Sequence, residues 1–142
     1  MKTNHRHTNP TILLMVLAVG IFGFGCSPEE VPSGLEITGT FRLVEVDGKT
    51  MPAELAHGGV SMVVLEGKLV FSEGGNCDSL TVFKPLSGEE IIREVKATFT
   101  QDGETLTMNW IGAGVTVGTI DGQTFSMNNE GMIFVYEKVP EG

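Results

Sequence analysis

The sequence predicts an all-β fold, a small antiparallel up-and-down β-barrel of about eight to nine short strands. Three observations lead there. Apolar residues recur with a period of two, most plainly in 105–110, where Leu106, Met108 and Trp110 share one face and Thr105, Thr107 and Asn109 the other. Turn-forming pairs fall at the intervals that a meander of short strands requires: Asp47-Gly48, Glu66-Gly67, Asp102-Gly103, Asp121-Gly122 and the Asn129-Glu130-Gly131 triplet. Helical spacing is sustained nowhere in the domain.

Taken in chain order, the first element is a targeting segment over 1–25. Lys2, His5, Arg6 and His7 precede a weakly polar-to-apolar run, TILLMVLAVGIFGF, which has the shape of a secretory n-region and h-region. At about 14 residues the run falls short of the roughly 20 that a membrane-spanning helix needs. Gly20, Gly23 and Gly25 lower helix propensity just ahead of Cys26. Residues 27–34, SPEEVPSG, have the composition of a tether. The folded domain is expected over 35–138, with a tail at 139–142.

Within the domain, strands are expected at 36–46, 60–65, 68–72, 79–84, 91–101, 104–111, 115–120, 123–127 and 132–138. Residues 52–57, PAELAH, are expected to make a helical turn or two, with Pro52 at its start and Gly58 and Gly59 ending it. The stretch 72–79, SEGGNCDS, is expected as a loop at one end of the barrel carrying Cys77.

Composition narrows the function. Among 142 residues, 41% hydrophobic, nine Lys and Arg stand against eighteen Asp and Glu, a net charge of -9. No basic surface able to neutralise phosphates is available, so nucleic acid is excluded as a partner. Removal of 1–25 takes Lys2 and Arg6 and no acid, leaving a domain of net charge -11 that anionic lipid would repel. Membrane association would then need a covalent anchor.

Catalytic signatures are missing from the sequence. Past the targeting segment the chain carries one histidine, His57, and neither zinc-protease, P-loop, nucleophile-elbow nor paired-cysteine motifs occur. Neither an enzyme nor a bound cofactor or metal is expected. The acid pairs Glu29-Glu30 and Glu89-Glu90 read as solvated charge, and no Asp-Gly turn continues as a calcium loop. His57 and Glu54 stand three apart in the short helical turn, where they would be two weak metal ligands at most. Cys26 and Cys77 are the two cysteines, so lipidation of the first leaves Cys77 a lone thiol, whereas without lipidation a disulfide between them is open.

Gly25 followed by Cys26, after that h-region, resembles a bacterial lipoprotein signal. The resemblance implies lipid attachment at Cys26 and an envelope location. Ser27, in place of the aspartate that retains some such proteins at the inner membrane, implies the outer membrane, facing the periplasm. Downstream, GTFRLVEVDGKTMP (39–52), GKLVFSE, QDGETLTMNW, GTIDGQTFSM and a closing MIFVYEK resemble a bacterial lipocalin-like domain of the calycin type over about residues 37–138. Gly39 and Phe41 stand where such domains carry Gly-x-Trp, so Phe41 is implied as the plug of the barrel floor and Lys138 as its basic partner. A weaker resemblance links the opening strand, turn and proline to short envelope proteins of the META-domain type.

The lipocalin-like resemblance implies a small apolar ligand. The inward candidates are Phe41, Leu43, Phe71, Phe99, Leu106, Met108, Trp110, Phe125, Phe134 and Tyr136, which either line a cavity or form the core. Leu106 is the position where a tryptophan would be expected to fill such a cavity. The alternative is a structural or protein-interaction module of the envelope with a barrel filled by its own side chains.

Overall fold

A computed structural model describes residues 37–142. The targeting segment, Cys26, the tether and the expected domain start at 35–36 lie outside the described residues. Those described form ten β-strands and no helix: β1 (Gly39–Val46), β2 (Lys49–Thr50), β3 (Ala53–His57), β4 (Val60–Ser72), β5 (Asn76–Pro85), β6 (Ile91–Asp102), β7 (Thr105–Trp110), β8 (Gly114–Asp121), β9 (Thr124–Asn129) and β10 (Met132–Lys138). From β4 to β10 each strand pairs antiparallel with the next, and β1 pairs with both β10 and β4. Eight strands thereby close an up-and-down barrel, a geometry compatible with a calycin-like fold.

The seam where β1 meets β4 governs the interior. Gly39 to Arg42 pair with Phe71 to Lys68, but beyond Arg42 the two strands part. β1 then pairs with β2, Glu45 opposite Thr50, while the first half of β4 pairs with β3, Ala53 opposite Val64 and His57 opposite Val60. The wall is eight strands around at one end and carries two extra strands at the other. Because barrel width grows with strand number, the first end can be filled by side chains and the second is left wider.

At the narrow end the packing is aromatic. Phe71 lies edge-on to three rings, with centroid distances of 5.4 Å to Phe41, 5.2 Å to Phe99 and 5.6 Å to Phe125. Leu69, Leu106 and Met108 are fully buried beside them. Phe41, paired in register with Lys138 and Leu69, is buried at this end. Ile37 covers the same end, its backbone N–H donating to Gln101 Oε1 at 2.9 Å. Gly118 on β8 is required by this packing, since a Cβ there would stand 2.4 Å from the Phe125 ring.

Three sequence expectations are corrected. Residues 52–57 are not helical: Ala53 to His57 form β3, with Ala53 and Leu55 buried and Glu54 and Ala56 exposed. Six residues are too few to nucleate a helix unaided, while β4 offers a full set of backbone partners. Gly58 and Gly59, with φ of 60° and 80°, make the two-residue hairpin turn into β4 instead of ending a helix. Glu66-Gly67 is not a turn either, because β4 runs unbroken for 13 residues through a bulge between Val64 and Glu66. Gly67 serves packing there: its missing Cβ leaves the space occupied by Leu43, which would otherwise be met at 2.7 Å. Third, the loop expected at 72–79 shrinks to the turn at 73–75, and Cys77 sits inside the barrel on β5, paired with Phe71 and Ala97.

Candidate functional site

The wide end holds a cavity of about 240 Å³, open to solvent at its mouth. Strand parity explains its lining. On β5 the inward series that begins at Cys77 continues to Ser79, Thr81 and Phe83, and on β6 the series from Phe99 and Ala97 runs back to Val95 and Arg93. The two series face each other in register, Ser79 opposite Val95 and Thr81 opposite Arg93, which builds a polar strip into this wall. In the closed strand order β9 and β10 stand four places from β5 and β6, across the barrel. They contribute an apolar wall of Met127, Met132 and Phe134. Met62 and Val64 from β4 and Leu55 from β3 complete the apolar lining, and His57, Asn129 and Glu130 also face the cavity.

Trp110, the single tryptophan, closes one side of the cavity. Its indole N–H donates to Thr116 Oγ1 at 2.8 Å, which satisfies the lone buried polar residue among those described and fixes the ring. Tyr136 forms part of the cavity wall and leans on Phe125 of the packed half at a centroid distance of 6.2 Å. Burial holds the Tyr136 phenol well above its ordinary range, with a smaller contribution from Cys77, so it stays neutral at physiological pH. Burial likewise pushes the Cys77 thiol up to about 12, reinforced by the neighbouring Asp78 and opposed by a backbone hydrogen bond from Val70.

The candidate residues therefore divide. Trp110, Phe134 and Tyr136 line the cavity, whereas Phe41, Leu43, Phe71, Phe99, Leu106, Met108 and Phe125 pack the narrow half. Leu106 is wholly buried in that half, so enlarging it would disturb the core without reaching the cavity. His57 and Glu54 are not joint ligands, since they point to opposite faces of β3. Among the described residues no group of three or more His, Cys, Asp or Glu is placed to hold a metal ion. Glu89 and Glu90 are exposed in the β5–β6 connection.

Sequence reasoning missed the polar strip of Ser79, Thr81 and Arg93, and with it Leu55, Met62 and Phe83. A weak signal was present for Arg93, which shares the parity of Val95, Ala97 and Phe99 on β6, although a charge at the end of that series reads as the end of the buried face. Leu55 and His57 were hidden by the expectation of a helix. No family model, curated protein or solved structure matches this chain.

Proposed function

We propose that this protein binds a small, mainly apolar molecule without transforming it, and that it does so as a lipid-anchored component of the bacterial envelope, held at Cys26 in the outer membrane facing the periplasm. The observation that carries the binding reading is the division of the barrel: one half is filled by interlocking aromatic rings, while the other keeps about 240 Å³ unfilled between an apolar wall and a polar strip. An apolar cavity with a few convergent polar groups is the usual form of a small-molecule site. The anchoring reading is supported by the Gly25-Cys26 junction after the apolar run and by an acidic charge balance that gives the domain no electrostatic hold on anionic lipid.

A second reading, an interaction module of the envelope, draws on a different observation. Val60 and Ile91, the first residues of β4 and β6, and Leu86, just past β5, are exposed large apolar residues on the mouth side of the barrel, the Leu86 N–H donating to the Ser61 carbonyl at 3.3 Å. Clustered exposed apolar side chains mark docking surfaces more often than chance placement does.

Mass spectrometry of protein extracted from membranes tests the first reading. The denatured mass is expected to show acyl groups on a chain that begins at Cys26, and the native mass is expected to exceed it by a small ligand lost on unfolding. A bare native protein that also takes up no fatty acid or fluorescent apolar probe would remove the binding function and leave the interaction module.

A further inference from the structure

We infer that the ligand is a monocarboxylate, and that Arg93 is the residue that receives its carboxylate; this rests on the cavity being a binding site. Arg93 carries the one permanent positive charge in the cavity lining. Among the described residues it forms no ion pair, the Lys96–Asp78 contact at 3.5 Å lying on the exposed outer face of the same sheet region. A guanidinium on the cavity wall that makes no ion pair can receive an acid, because its fork of donors matches two carboxylate oxygens at once.

Its surroundings fit that occupant. Thr81 stands directly opposite Arg93 in the β5–β6 register, and Ser79 follows two residues deeper, so hydroxyl donors extend the same polar strip. Hydroxyls can donate to a carboxylate oxygen without adding charge. Across the barrel, Met127 and Phe134 offer the apolar surface for a chain or ring. Head and body of an amphipathic acid are thus provided for on opposite walls. Arg93 is exposed at the mouth, so the carboxylate would keep part of its hydration and the pair would avoid the full cost of burying two charges.

Charge and size narrow the class further. Glu130, the acid of the lining, lies in the β9–β10 turn across from the polar strip, where a second negative charge on the ligand would meet repulsion. The cavity is small at about 240 Å³, which favours a short chain or a single ring over a long-chain lipid.

The test is a titration of the purified protein with octanoate, 1-octanol and octanedioate, followed by calorimetry and by Trp110 fluorescence, repeated with Arg93→Met and Arg93→Lys. Octanoate is expected to bind at least tenfold more tightly than either competitor. Arg93→Met should erase that preference through loss of octanoate affinity, and Arg93→Lys, which keeps the charge but loses the fork, should retain part of it. Thermal melting checks that both variants stay folded, as an exposed position predicts. Equal affinity for octanoate and octanol, or a preference that survives Arg93→Met, overturns the assignment while the cavity remains a binding site. Absence of heat and of any fluorescence change with all three compounds overturns the binding function itself, and this inference with it.

Discussion

At the scale of single residues, Cys77 shows how position in the barrel overrides what its neighbours in sequence suggest. Two glycines, an asparagine and two acids surround it, the composition of a loop, yet its side chain is 1% exposed between Phe71 and Ala97. With the thiol pushed up from 9.0 to about 12, the thiolate that alkylating reagents need is scarce at neutral pH. Iodoacetamide at pH 8 is therefore expected to modify native protein far more slowly than a free thiol and at the free rate in denaturant; fast labelling of the native state would contradict the burial. The same shift sets a pH dependence. Because the folded form keeps a proton that the unfolded chain loses above 9.0, stability is complete below that pH and falls as pH rises towards 12, with a slope approaching about 1.4 kcal/mol per pH unit from this group. Urea melts of wild type and Cys77→Val at pH 8 and 10.5 check it, since the variant should lose less over that interval. What was legible at this scale was the aromatic core, because Phe41, Phe71, Phe99 and Phe125 sit at the right parity in strongly alternating strands. Arg93 was not, since a charge two positions beyond Val95 reads as the end of a buried face when it is the continuation of one into a wet cavity.

At the scale of elements, the short strand β3 decides where the cavity is. It occupies the gap that opens when β1 leaves β4, and it turns Leu55 and His57 into the widened end. The sequence disguised it, because Pro-Ala-Glu-Leu-Ala-His has helix-forming residues and an apparent helix stop, and pairing across the Gly58-Gly59 turn with the first half of β4 made the extended form preferable. Its hairpin is as local as those at Gly103, Gly122 and Gly131, but its Gly58-Gly59 turn follows helix-forming residues and so reads as a helix stop, whereas the other three follow alternating strands. The merged strand β4 is the same lesson in reverse: Glu66-Gly67 has turn chemistry, but the glycine is there to admit Leu43. The energetic consequence is an ordering. Leu55 borders empty space and Leu69 is enclosed on every side, so truncation should cost less at the first. Leu55→Ala is expected to destabilise by about 2 kcal/mol and Leu69→Ala by about 4 kcal/mol in urea unfolding. Equal losses would mean that the wide end is as tightly packed as the narrow one.

At the scale of the whole molecule, the barrel joins a part that specifies the fold to a part left open by it. Ile37, Phe41 and the ring cluster around Phe71 pack one end closely enough that the other can forgo packing, which is how a chain of this size can hold a cavity without losing its fold. A consequence is that filling the cavity should separate stability from binding. Val95 is half-buried on the cavity wall, opposite Ser79 and one inward step deeper than Arg93, and a larger ring there would project into the space a ligand needs. Val95→Phe adds apolar surface to a site that lacks neighbours, so its melting temperature should hold or rise, the extra burial contributing on the order of 1 kcal/mol. Octanoate affinity should meanwhile fall at least tenfold, because the added ring excludes the ligand body while Arg93 is untouched. If the barrel served only as an interaction module, the same substitution would raise stability with no binding to lose. A stable Val95→Phe protein that has lost octanoate therefore assigns binding to the interior, and one that binds it unchanged moves the site to the rim.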